Sequence, residues 1–150
     1  MDVVALRAKL NQSELILGDV AETTTTFFKN YNPSPIGFIA FDLDYYSSTK
    51  SAFNIFKNTQ DLFLPRVECY MDDVSSFEVL SASTETGVLK AIHDFNNESE
   101  TKILKKELVS RARHFFARWN DCMYVHHNFN HQKYNTNVAQ SYKINLDLDQ

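Results

Sequence analysis

The chain has 150 residues, 43% of them hydrophobic and 23% charged, with 15 Lys+Arg against 19 Asp+Glu and a formal net charge of -4. Such a composition describes one globular domain and excludes a disordered or fibrous chain. Clustered Lys and Arg, which a broad nucleic-acid surface requires, are missing.

The longest apolar run, Ile36–Phe41, is far short of the ~20 residues that span a membrane, and Met1-Asp2-Val3-Val4 lacks the basic start of a secretory signal. The expected location is cytoplasmic, with no membrane partner. Cys69 and Cys122 each sit in an apolar stretch, which suits buried, reduced thiols. Twelve Phe and 7 Tyr give a small chain much surface to bury.

In chain order, Val3, Leu6 and Leu10 have helical spacing, and Glu14-Leu15-Ile16-Leu17 reads as a strand closed by Gly18-Asp19. Residues 20–30 return as a helix that Pro33 and Pro35 stop. The run Ile36-Gly37-Phe38-Ile39-Ala40-Phe41 then reads as a strand apolar on both faces, as a central parallel strand covered by helices on two sides would be.

Ser47, Ser48 or Thr49 can cap the next helix, which carries Ala52, Phe53, Phe56 and Phe63 and ends at Leu64-Pro65. Residues 66–71 form another strand, residues 85–95 a helix, and Leu104, Leu108, Ala112, Phe115, Phe116 and Trp119 the clearest helical stripe of the chain. Residues 123–129 read as a strand, and residues 142–148 alternate as a half-buried strand should. Strands alternating with helices predict an α/β sheet.

Two of these strands run straight into acids: Asp42 and Asp44 after the first, Asp72 and Asp73 after the second. In an open α/β sheet the carboxyl ends of the strands are where ligands bind. Two carboxylates ~4 Å apart repel by roughly 4 kcal/mol at an effective dielectric of ~20. A hard divalent cation such as Mg²⁺ is the natural neutraliser, with protonation of one acid or a nearby Lys or Arg as competing solutions. His126, His127 and His131 lie close together, and His127 with His131 has the i, i+4 spacing of some metal pairs, but their segment reads as strand and turn, which argues against zinc. Neutral hydrogen bonding or a general-base role for one of them fits better.

The segment from Pro35 through Phe41-Asp42-Leu43-Asp44-Tyr45-Tyr46-Ser47-Ser48-Thr49, followed by Leu64-Pro65-Arg66-Val67 and Tyr70-Met71-Asp72-Asp73, resembles the later half of a class I S-adenosylmethionine-dependent methyltransferase of the macrocin O-methyltransferase type. The resemblance extends from Leu6 to about Tyr134 and takes in Gly18-Asp19, Ala91-Ile92-His93-Asp94-Phe95-Asn96 and His127-Asn128-Phe129-Asn130-His131. It implies a truncated Rossmann-like sheet, mostly parallel with a C-terminal antiparallel strand, flanked by helices. Glu14-Leu15-Ile16-Leu17 becomes the third strand of that sheet, Ile36–Phe41 the fourth, residues 66–71 the fifth and residues 123–129 the sixth.

By the same resemblance Asp42, Asp72 and Asp73 are Mg²⁺ ligands, with Asp44 a further candidate, and Asp19 and Asp42 border S-adenosylmethionine. Asp44 and His127 are the candidates for taking the proton. The implied reaction is methyl transfer to a hydroxyl of a sugar or other small molecule. The family's glycine-rich turn has no counterpart, because Gly18, Gly37 and Gly87 are isolated and nothing before Glu14 supplies two strands.

The strand Ile36–Phe41 therefore lacks its usual neighbour. Either the third strand shifts to pair with it, or another chain covers the edge, as in a homodimer. Two alternatives stand beside this reading. Phe41-Asp42-Leu43-Asp44 imitates the nucleophile motif of haloacid-dehalogenase-like phosphohydrolases, although Tyr46 occupies a position where that motif wants Thr or Val. A non-catalytic interaction protein that retained the fold is the other.

Overall fold

The computed structural model describes residues 2–57, 60–74, 83–106 and 118–136. Asp2 caps the first helix, α1 (Val3–Lys9), its carboxylate accepting from the N–H groups of Val4 and Ala5 at 3.0 Å each. Asp19 does the same for α2 (Val20–Tyr31), accepting from Ala21 N–H at 2.7 Å. Helix α2 ends where Asn32 takes a left-handed conformation, φ 41°, just before Pro33.

Strand β1 (Ile36–Phe41) follows, then α3 (Tyr46–Ala52), 3-10 turns over Phe53–Lys57 and Gln60–Leu62, and β2 (Phe63–Met71). A 3-10 turn over Asp72–Val74 closes β2. Helix α4 (Gly87–Glu98), β3 (Lys102–Lys105), a 3-10 turn over Arg118–Asn120 and β4 (Met123–His127) complete the described elements.

The four strands form one mixed sheet in the order β1-β2-β4-β3. Strands β1 and β2 are parallel, while β4 is antiparallel to both β2 and β3. Three strands therefore share one direction and β4 opposes them. The segment expected to run with the others is the reversed one; the strand expected at residues 142–148 lies outside the described residues.

Side chains alternate across the sheet. Phe41, Phe63, Val67, Cys69, Met71, Ile103 and Tyr124 are buried on the face where Ala52, Phe53, Phe56 and helix α4 pack. Phe41, Phe53, Phe56, Phe63 and Phe95 meet ring to ring with centroids 5.2–6.3 Å apart, mostly tilted or edge-to-face. On the other face of β1, Phe38 is 58% exposed. Among the described residues β1 is thus an edge strand covered on one side, not the central, doubly covered strand its continuous apolarity predicted.

Several boundaries also differ from expectation. Glu14-Leu15-Ile16-Leu17 forms no strand and does not pair with β1; Glu14 and Ile16 share a cleft with Phe27 and Tyr31 of α2. None of Ser47, Ser48 and Thr49 caps α3, which starts after Tyr45 without a side-chain cap. Instead the buried Thr49 hydroxyl donates to the Tyr45 and Leu43 carbonyls at 2.9 and 3.2 Å.

Leu64-Pro65 ends no helix, because both residues lie inside β2. The register with β1 slips there, from Ile36 opposite Phe63 to Phe38 opposite Glu68, since proline offers no N–H to the ladder. Gly37 accommodates the slip: a Cβ there would lie 2.8 Å from Leu64 Cδ1. Leu104, expected to open a helix, lies in β3 opposite Val125, and Trp119 is in a 3-10 turn; positions 108–116 of that stripe lie outside the described residues.

Candidate functional site

Parallel pairing brings the ends of β1 and β2 level, with Phe41 opposite Met71. The next residues, Asp42 on one strand and Asp72-Asp73 on the other, therefore leave the sheet side by side. One carboxylate oxygen from each of Asp42, Asp72 and Asp73 lies within 4.8 Å of the others. Among the described residues it is the one such group of three acids, histidines or cysteines.

Each acid is held differently. Asp72 accepts from the Tyr70 hydroxyl at 2.7 Å. Asp73 has the backbone N–H of Leu43 nearby, which favours its charged form, while its Oδ2 is buried without any partner. Burial first, then the charges of Asp44, Asp72 and Asp42, push the Asp73 carboxyl above its usual range. Asp44 therefore belongs to the same electrostatic neighbourhood. No ion pair to Asp42, Asp44, Asp72 or Asp73 forms among the described residues.

Of the three ways to neutralise such a group, a basic partner is thus not supplied by the described residues. Oxygen donors only, within a few ångström, with one buried lone-pair site vacant, fit a hard divalent cation. The residues present would hold it through Asp42, Asp72 and Asp73.

Beside Asp42 a groove of about 330 Å³ runs between α2 and β1, lined by Val20, Thr24, Ile39, Phe41, Leu43 and Ile55 among others. Asp19 stands next to Val20 at the mouth of α2, one oxygen committed to the helix cap. Glycine at position 18 has φ 150°, and a Cβ there would meet Thr23 Cγ2 at 3.0 Å, so the approach to the cap is tight. The groove wall is apolar and one acid closes it, which suits a ligand with an apolar or aromatic part; no glycine-rich turn contributes to it.

His127 does not join this group. It lies opposite Arg66 on β2, five residues before Met71, or ~17 Å along the strand. The reversal of β4 is the reason, since it carries the end of that strand to the far end of the sheet. There His127 Nδ1 is 2.7 Å from the Tyr134 hydroxyl, its ring stacks on Phe129, and the Arg66 guanidinium lies 4.1 Å from the Tyr134 ring centre. Burial, then the Arg66 charge, hold its pKa below the usual histidine range. It fastens the turn after β4 and is out of reach of a reaction at Asp42.

Its neighbour His126, grouped with His127 and His131 in the sequence, is only 2% exposed, and its two ring nitrogens have no hydrogen-bond partner, so the neutral hydrogen bonding expected of that group is not made by its side chain. Its place in the apolar run Met123-Tyr124-Val125 was the available signal of that burial. Among the described residues no helix is long and apolar enough to cross a membrane. No family model, no curated protein and no solved structure matches this chain.

Proposed function

We propose that the acidic end of the sheet is a divalent-cation site in a methyltransferase-like α/β domain, and that its chemistry is metal-assisted O-methylation of a small-molecule hydroxyl with S-adenosylmethionine as donor. The observation that carries this reading is the convergence of Asp42, Asp72 and Asp73, with ligand oxygens within 4.8 Å, at the carboxyl ends of two adjacent parallel strands. The sheet supports it too: three strands share a direction, and the one reversed strand is the last of the four in sequence.

When bound, a cation such as Mg²⁺ holds a hydroxyl oxygen and lowers its pKa, making it a nucleophile near neutral pH. The chain's own contribution is positional. The Tyr70 hydroxyl fixes Asp72, the Leu43 N–H favours the charged form of Asp73, and the α2–β1 groove leads to Asp42. Asp44, close enough to act on Asp73, is the acid placed to receive the hydroxyl proton. Asp19 and Asp42 would border S-adenosylmethionine.

The haloacid-dehalogenase reading draws less support, because the Tyr46 hydroxyl is committed to Asp94 at 2.7 Å and serves the packing of α3 on α4. Among the described residues the outer edge of β1 is open, which supports association with a second chain, in a homodimer or with another partner.

Calorimetric titration with S-adenosylmethionine, with and without Mg²⁺, tests the function. Heat of binding that depends on the cation and vanishes in Asp42→Asn supports it. Cation binding without any response to S-adenosylmethionine reduces the reading to a metal site alone, and absence of both removes it.

A further inference from the structure

At the end of the sheet opposite the acids, a cavity of about 350 Å³ opens between the Phe53–Lys57 turn, the start of β2, the end of α4 and the end of β4. Phe56, Phe63 and Phe95 wall it, and His126 lines it. His126 stacks flat on Phe56, with centroids 3.9 Å apart and planes 13° apart, so the plane of its ring is fixed.

A buried imidazole without a hydrogen bond costs about 1–3 kcal/mol. The polar groups around the cavity do not relieve it, because they bond to one another. Ser99 and Thr101 pair their hydroxyls at 3.0 Å, Asn130 donates to Glu100 at 3.3 Å, and Glu98 pairs with Lys50 at 2.9 Å. Nothing in these contacts commits the ring to one of its two flat orientations. A half-turn about χ2 exchanges Nδ1 with Cδ2 and Nε2 with Cε1, preserves the stack on Phe56, and changes which ring atoms border the cavity.

The lining also indicates what would fit. Three phenyl rings want an aromatic or compact apolar body, and the volume sits at the small end of the range for ligand pockets. Of the lining charges, Glu98 is neutralised by Lys50 from outside the cavity and Lys57 stands against Glu100, so no net charge selects an ion. A neutral imidazole offers one donor and one acceptor. We propose that this cavity binds a small neutral molecule with an aromatic body and one hydroxyl or amide group, held by a hydrogen bond to the His126 imidazole.

Phenol is the test ligand and toluene its comparator, titrated into the full chain and followed through the imidazole nitrogens by long-range ¹H–¹⁵N NMR. Phenol should shift the His126 resonances saturably and bind about tenfold more tightly than toluene, the worth of one good hydrogen bond. In His126→Phe the two should bind alike, and in His126→Gln, which keeps a donor and an acceptor, the preference for phenol should persist.

No shift at His126 on adding phenol means a cavity filled by water only, and that result overturns the proposal. Equal binding of toluene and phenol to the unmodified chain overturns it as well, without any variant having to fold. The Mg²⁺ response of the acidic end is read separately, because His126 pairs with Val67, four residues or ~13 Å from Met71 along β2.

Discussion

Asp73 stands beside the backbone N–H of Leu43, which favours its charged form, and keeps one carboxylate oxygen, Oδ2, buried and unpartnered. The loop after β1 and the turn after β2 thus meet at a carboxylate oxygen with nothing to balance it. Without a cation this is a destabilising arrangement. Mg²⁺ or Mn²⁺ should raise the melting temperature, by an amount that grows with concentration above the dissociation constant. Asp73→Asn should abolish that response while raising the cation-free stability by roughly 0.5–1 kcal/mol, the scale of partly exposed charge pairs. Chemical denaturation with and without Mg²⁺ reads both effects; a cation response that survives the substitution excludes Asp73 as a ligand.

The same carboxyl gives a pH dependence of defined sign. Its pKa is raised in the folded state, so the folded protein binds the proton more readily than the unfolded chain. Its contribution therefore falls as pH rises above the ordinary value of 3.8, through the folded value. Asp73→Asn should remove that part of the stability profile.

His126 acts in the opposite direction along the pH scale. Burial, then the neighbouring His127, lower its pKa from 6.5 to about 4. Between these values the unfolded chain takes up a proton that the folded chain refuses, so stability is intact above pH 6.5 and falls as the pH drops toward 4. The full loss is on the order of 3 kcal/mol. Denaturant midpoints measured from pH 7 to pH 4 should show this slope, and His126→Gln should flatten it.

Asn96 closes the outer side of β3. Its side-chain amide donates to the Ile103 carbonyl at 2.9 Å and accepts from the Ile103 N–H at 2.7 Å, replacing a strand neighbour at that residue. Asn96→Asp keeps the acceptor and loses the donor. It should cost about 1–3 kcal/mol, measurable as a lower denaturation midpoint with an unchanged slope.

Among the described residues the edge of β1 has no such guard. Phe38 is 58% exposed, and the strand carries no charge along Ile36–Phe41. Sedimentation over a concentration series should show self-association, and Phe38→Lys should abolish it while changing monomer stability by less than about 0.5 kcal/mol.

Local chemistry made much of this legible. Apolar spacing gave the first helix, Pro33 closed the second, and the apolar run gave β1 its limits, whereas Asp19, read as the close of a strand, caps α2. The acids at Asp42, Asp72 and Asp73 were found because parallel neighbours end at one edge, a rule of topology more than of composition. What stayed hidden depends on partners distant in sequence. Alternation does not encode strand direction, so the reversal of β4 and the displacement of His127 could not be read. Leu104 shares a helical period with residues after it, yet pairing with β4 decides its conformation. Pro65 resembled a helix stop because its position inside β2 requires a register slip against Gly37.

The amide of Asn96 has a consequence for growth of the sheet. With Ile103 already satisfied, a newcomer strand finds its landing at the opposite border, along β1. That border also forms a wall of the groove ending at Asp42. Recruitment of an additional strand and admission of a ligand would thus be governed at one margin of the molecule, and a docked strand would deepen the very channel that leads to the carboxylates.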